Sequence, residues 1–471
     1  MNANPKREAL SSVDAAWRHM EDPSNLMMVS GVMHFQTSVA REALVELIEK
    51  RLLRQERFRQ RVVDVGILKS SHWEEATDFR LEDHVSFETL PNPGNVALFQ
   101  ERVSELMSEP LDWTKPLWHF TLIDNVEGGN AIMVRIHHCI ADGMALVALL
   151  LSLTGETPEK SLSFETDSQT SPSARITQKG RLFSQAGTVL KTAGSLFQTG
   201  IDTLVHPQKW LELAKHGSIG AKTAASLLVR KPDPETLLKG PLKKAKLAAW
   251  SRPVSLEDVK SIRSVTKTTV NDVLVAAMAG GLRCYLQTRT ELQHHPDFHA
   301  AVPVNLRPLD AEPKMGNQFG LVFLPLPISI ADPLERLWEV KKRMDHLKTS
   351  HEAAIVYSII KTVGLTPAEI QKMSVNVFGA KATCVLTNVP GPRDPLFLAG
   401  KKIDTMMFWV PCSGKLALGI SIFSYAGEVR LGVATDKEII PDPHAIIAGF
   451  HEAFSEMLQL AEQVKTDAAE S

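Results

Sequence analysis

Apolar residues along this chain recur with two periods, and the alternation between them marks out the elements. Arg41–Arg54 (REALVELIEKRLLR) repeats Leu, Val and Ile at the spacing of one helical face. Trp118–Ile123 and Ala131–Ile136 are short β-rich runs, and Glu127-Gly128-Gly129-Asn130 between them has the composition of a hairpin connection. Ala145–Leu153 is apolar throughout and predicts a buried helix. Farther on, Ser255–Val265, Asn271–Gln287 and Pro443–Leu460 read as helices. Ala300–Val304, Leu321–Ile328, Thr383–Leu386, Leu416–Ser424 and Glu428–Val433 read as strands. Between these zones, Ser163–Ser173 reads as a loop. Leu182, Phe183, Ala186, Val189, Leu190, Ala193, Phe197, Ile201 and Leu204 then form one stripe at helical period. The pattern divides the chain into a mixed first domain (1–161), a loop and amphipathic helical crossover (162–250) and a mixed second domain (251–471). The outer zones are both α+β and of similar size, so two related domains joined by the crossover are expected.

Composition sharpens this picture. With 471 residues and 44% hydrophobic content, the chain is too long for one ordinary core and suits two. A net charge of −2 gives no global basic field, so nucleic acid is not an expected partner. The crossover is locally different: between Arg175 and Lys246 there are thirteen Lys/Arg and four Asp/Glu, an excess of nine positive charges. Such a segment reads either as solvated charge on a packed crossover or as a patch for anionic lipid or a phosphorylated substrate. Cys139, Cys284, Cys384 and Cys412 are scattered, with no C-x-x-C and no zinc-ligand spacing, as expected of reduced thiols in a cytoplasmic protein. No metal or other cofactor is expected. Residues 1–22 lack the apolar core of a signal peptide. Val273–Leu282 is too short to span a bilayer, and Gly320–Ile330 is interrupted by Pro325 and Pro327, so any membrane contact is expected to be peripheral.

The densest chemistry is His137-His138-Cys139-Ile140-Ala141-Asp142-Gly143. The pair lies where a strand ends and a helix begins. Adjacent residues of an extended chain point to opposite sides, so only one histidine can face a given cleft. A neutral imidazole is the usual general base near pH 7 and can take a hydroxyl proton directly, without an acyl-enzyme. Asp142 can fix the loop by capping the helix or by pairing with a cation. Gly143 can supply the backbone freedom of an abrupt strand-to-helix turn. The competing meaning, a structural His-His pair in a turn, fits a lone histidine better than it fits the whole H-H-x-x-x-D-G pattern. Other groupings are weaker: His294-His295-Pro296-Asp297 reads as a surface loop, and Cys412-Ser413-Gly414 is not a G-x-S-x-G elbow. Asn271 follows Thr268-Thr269-Val270 and reads either as a helix N-cap or as a donor near a reacting carbonyl. Pro116-Leu117-Trp118 reads first as a core aromatic anchor.

Taken together, H-H-x-x-x-D-G at 137–143, Pro116-Leu117-Trp118, Asn271-Asp272 and Asn388-Val389-Pro390-Gly391-Pro392 resemble the bacterial wax ester synthase/acyl-CoA:diacylglycerol acyltransferase family. That family lies within the coenzyme A-dependent acyltransferase superfamily, and the likeness covers nearly the whole chain. One departure is Asn25-Leu26-Met27-Met28-Val29-Ser30-Gly31, where the family often has a Pro-Met-His-Val-Gly-type segment; it bears on acceptor preference. The resemblance implies an α/β fold of two chloramphenicol-acetyltransferase-like domains with mixed sheets and a tunnel between them. It implies His138 as base, His137 as its support and Asp142 as mainly structural. Acyl-CoA would be a substrate, a long-chain alcohol or diacylglycerol the acceptor, and the inner membrane or lipid inclusions the peripheral surface. The alternatives are a condensation-type enzyme using carrier-protein thioesters and a non-catalytic lipid-binding protein of the same fold.

Overall fold

A computed structural model of the chain describes residues 7–66, 70–163, 227, 229–289, 297–306, 315–350, 352–364, 366, 371, 376–411 and 414–470. The stripe Leu182–Leu204, the loop beyond Ser163, most of the basic crossover, His294 to Pro296 and Cys412-Ser413 lie outside the described residues.

The first half runs β1 (Arg7–Ala9), α1 (Ser12–Met20), β2 (Met28–Phe35), α2 (Arg41–Lys50), β3 (Gln60–Val65), β4 (Ser70–Glu75), β5 (Val85–Thr89), α3 (Val96–Ser108), β6 (Trp118–Val126), β7 (Gly129–His137), α4 (Gly143–Ser152) and α5 (Pro158–Leu162). The second half runs β8 (Lys246–Trp250), β9 (Val254–Ser255), α6 (Leu256–Thr266), α7 (Val270–Gln287), β10 (Phe298–Asn305), β11 (Phe319–Leu326), α8 (Pro333–Lys348) and α9 (Glu352–Val363). It continues through β12 (Cys384–Pro390), β13 (Phe397–Leu398), β14 (Lys401–Lys402), β15 (Thr405–Trp409), β16 (Leu418–Tyr425), β17 (Glu428–Asp436) and α10 (Pro443–Glu470). The helix read over Arg41–Arg54 ends at Lys50 and finishes as a separate 3-10 turn, Leu52–Arg54.

Two mixed sheets organise the molecule, in line with the expected fold class. The first has the order β15-β2-β7-β6-β5, antiparallel except for the parallel β5–β6 pair. The second has the order β11-β10-β12-β16-β17-β8, with β9 also on β17, and its β10–β12–β16 core is parallel. The sheets are not confined to the sequence halves. β15, from the second half, pairs with β2 from Thr405↔His34 to Trp409↔Ser30. β8, at the end of the expected crossover, is a strand of the second sheet.

β7 carries the site, and its sequence makes it rigid. Every one of its nine residues is buried, as a central strand covered on both faces requires. Its buried cation Arg135 donates through Nη1 to two backbone carbonyls at the end of α3, Leu106 at 2.8 Å and Glu109 at 2.9 Å. Beside it, Trp118 of β6 is an anchor as read: it is 1% exposed and its indole N–H donates to the Phe58 carbonyl at 2.9 Å.

Candidate active site

β7 ends on His137, and the backbone there is held from both sides. The His137 N–H donates to the Leu117 carbonyl at 3.0 Å, and the His138 N–H to the Met27 carbonyl at 2.7 Å. The two imidazoles then diverge, as adjacent extended residues must. His137 is enclosed by first-half residues. Its Nδ1 accepts the Cys139 N–H at 3.0 Å, its Nε2 lies 2.9 Å from Glu21 Oε2, and Trp113 packs edge-on at 5.0 Å. Glu21 also accepts from the Trp113 indole at 2.9 Å and the Met27 N–H at 3.1 Å. Burial raises the Glu21 carboxyl, but His137 and these donors outweigh it and leave the group below its ordinary range.

His138 faces a different set of groups. The Trp17 indole stacks on it with ring centroids 4.1 Å apart and 14° between planes, and Phe319 packs at 5.7 Å. Its Nδ1 lies 2.9 Å from Asn317 Oδ1. Its Nε2 makes no hydrogen bond to any described residue. Burial pulls the His138 pKa down to about 4, despite the opposing charge of Asp142. A solvated imidazole titrates near pH 6.5. The enclosed setting lowers that value, so the ring is neutral well below pH 7.

Asp142 caps α4: its Oδ1 accepts the Ala145 N–H at 2.9 Å, and its Oδ2 accepts the Gln318 N–H at 2.9 Å. Both roles are structural, and the second ties the loop to the other half of the chain. The reason for Gly143 differs from the expected one. Its φ is not left-handed, and a Cβ built there would meet nothing within 4 Å. Neither backbone strain nor protein packing requires glycine; the residue leaves open space at the start of α4. Cys139, between the histidine and aspartate, is fully buried and its thiol is pushed well above its ordinary value, so it is no nucleophile.

Asn271 is not the N-cap of α7. Thr269 is, and Asp272 completes a capping box with it. Asn271 instead accepts a hydrogen bond from the Asn388 side chain, so two of the sequence motifs meet. β10 pairs with β11 as Asn305↔Phe319 and with β12 as Ala300↔Cys384. Extending that second register places Asn388 at the level of Gly320, the residue after Phe319, two strands and about 10 Å across. No described contact joins Asn271 to either histidine.

Asp14, Trp17, Glu21, Asn317 and Phe319 belong to the site but are not legible in the sequence. Asp14 and Trp17 sit on a short helix of mixed polarity, and Asn317 lies some 180 residues beyond the histidines. A cavity of about 450 Å³, bordered by Ser12, Asp14, Arg57, Asn317, Tyr357 and Lys361, opens beside the Asn317 contact. Among the described residues no group of three or more His, Cys, Asp or Glu could hold a metal ion.

Comparison with known proteins agrees with this arrangement. Residues 10–274 match the wax ester synthase/diacylglycerol acyltransferase catalytic domain, and residues 315–458 match the WS/DGAT C-terminal domain. A Mycobacterium tuberculosis protein named as a probable diacylglycerol O-acyltransferase, tgs1, is 26% identical over 97% of both chains. The structure of a wax ester synthase/diacylglycerol acyltransferase from Marinobacter aquaeolei VT8 superposes with a TM-score of 0.69 at 22% identity, covering 96% of this chain and 99% of that one. The first condensation domain of the calcium-dependent antibiotic synthetase shares the fold, with a TM-score of 0.60 at 13% identity over 97% of both chains. With more than half of its length matched by the catalytic-domain family, the chain belongs to the wax ester synthase/diacylglycerol acyltransferase family.

Proposed function

We propose that the protein transfers a long-chain acyl group from acyl-CoA to the hydroxyl of a fatty alcohol or a diacylglycerol, yielding wax ester or triacylglycerol and CoA. The observation that carries this reading is the buried, neutral His138, whose Nε2 has no partner among the described residues, in a chain of this family. His138 Nε2 accepts the proton of the acceptor hydroxyl as its oxygen attacks the thioester carbonyl. The tetrahedral intermediate then collapses, the C–S bond breaks, and the imidazolium returns the proton to the CoA sulfur. The low pKa makes the imidazolium a strong acid for that return, while the nearby Asp142 carboxylate offsets part of its burial cost.

The other residues act around this pair of proton transfers. His137, held by Glu21 and Cys139, keeps the end of β7 in place. Asp142 holds the loop and the start of α4. Gly143 leaves room there for the reacting ester. Asn271, oriented by Asn388, sits on the second-sheet side, where a donor would favour charge developing on the carbonyl oxygen. Acyl-CoA is a substrate in this scheme and no cofactor takes part. Two domain-like halves joined by the 162–250 segment would enclose the reacting groups. No helix among the described residues is long and apolar enough to cross a membrane. The family's lipid acceptors favour a cytoplasmic protein that meets them peripherally, at the inner membrane or a lipid inclusion.

The test is thiol release from palmitoyl-CoA with no acceptor, with hexadecanol or with dipalmitoylglycerol, with the ester product identified by mass spectrometry. Acceptor-dependent release with matching ester is expected. No release with either lipid, but turnover of a carrier-protein thioester, would replace this reading with a condensation-type one.

A further inference from the structure

We infer that Asp14 and Asn317 form a relay that positions His138, so that the second half of the chain completes the base supplied by the first. The inference rests on His138 being the base. Three side chains meet in a line, all nearly inaccessible: Asp14 is 7% exposed, Asn317 7% and His138 5%. Asn317 Nδ2 donates to Asp14 Oδ1 at 2.8 Å and to the His138 backbone carbonyl at 2.8 Å. A backbone carbonyl can only accept, so the amide cannot turn over without setting acceptor against acceptor. Asn317 Oδ1 therefore faces His138 Nδ1, and that nitrogen must carry the proton. The lone pair is thereby fixed on Nε2, the atom required to accept the hydroxyl proton. The other tautomer would leave Nδ1 and Oδ1 as two acceptors 2.9 Å apart in a buried site.

The residues on either side of Asn317 hold the same loop. The Gly316 N–H donates to the Ile140 carbonyl at 3.1 Å, the Asp142 N–H to the Gly316 carbonyl at 3.3 Å, and the Gln318 N–H to Asp142 Oδ2 at 2.9 Å. Residues 316–318, just before β11, thus run along the histidine loop as a template. Asp14 comes from α1 of the first half, so this second-half amide is held between two first-half elements, α1 and the end of β7. Trp17, one turn along α1, stacks on the ring and fixes its plane, so a single short helix supplies both supports.

Asn317→Ala, Asp14→Asn, Asp14→Ala and His138→Ala are compared with the wild type, using palmitoyl-CoA and hexadecanol. Asn317→Ala is expected to lower kcat by about 10²-fold, part of what a positioned base contributes, with KM for both substrates within about 3-fold. Asp14→Asn keeps an oxygen that can accept the Asn317 N–H and is expected to restore most of the kcat that Asp14→Ala loses. Nitrogen NMR of ¹⁵N-histidine-labelled wild type, with the resonance assigned by its loss in His138→Ala, is expected to show His138 protonated on Nδ1 near pH 7. That measurement decides the matter even where an Asn317 or Asp14 variant fails to fold. Wild-type kcat in Asn317→Ala, equal losses in both Asp14 variants, or a proton on Nε2 would overturn the relay. Wild-type turnover in His138→Ala would instead overturn the underlying assignment of the base.

Discussion

At the scale of single residues, burial decides what His138 can do. An imidazole in water is half protonated near pH 6.5, whereas this one is held to about 4 by its enclosure, with Asp142 opposing. A lowered pKa means that the basic form dominates at every pH above it. The expected kcat/KM for acyl transfer is therefore level from about pH 6 to 8 and falls only as pH drops toward about 4. An acid limb centred near pH 6.5 would mean a solvated base. Gly143 carries a second prediction. Alanine fits its backbone, meets no protein atom within 4 Å and is favoured in a helix by about 1 kcal/mol. Gly143→Ala should fold with undiminished thermal stability yet lose about 10-fold in kcat/KM, because the methyl enters space assigned to the substrate. Unchanged kinetics would leave Gly143 without a part in the reaction.

At the scale of elements, the sequence was most legible where one period dominates. The β6–β7 hairpin, α4, α7, β10, β11, β12, β16 and β17 fall close to where alternation, apolar runs and turn residues put them, because those elements are buried on faces that their own pattern defines. Three things escaped. α1 is short, mixed in charge and half-exposed, so nothing marks Asp14 and Trp17 as facing inward. β15 looks like part of the second half, but its partner is β2, more than 370 residues earlier, and pairing is not a local property. Of the two readings open for Asn271, the N-cap one fails, because Thr269 and Asp272 satisfy two backbone donors reciprocally at the start of α7. Thr269→Ala should accordingly cost the first turn of α7 about 1 kcal/mol, seen as roughly 5-fold faster amide exchange over residues 270–273. Unaltered exchange there would mean that packing, not the cap, fixes this helix and the Asn271–Asn388 contact it presents.

At the scale of the molecule, the two halves are interlocked rather than merely adjacent. The first core includes Leu398, Ile403, Met407 and Trp409 from the second half, β15 completes the first sheet, and residues 316–318 lie along the histidine loop. The motif H-H-x-x-x-D-G was visible in the sequence because its members are neighbours in the chain. The groups that orient it were not, because they come from α1 and its C-cap near the start of the first half and from residues 316–319 of the second. The most direct test of the whole account is single-turnover transfer of a radiolabelled palmitoyl group from palmitoyl-CoA to hexadecanol by wild type and His138→Ala, with folding checked by circular dichroism. Loss of at least about 10³-fold in the rate of ester formation by a folded His138→Ala is the predicted result; ester formation at the wild-type rate would contradict His138 as the base.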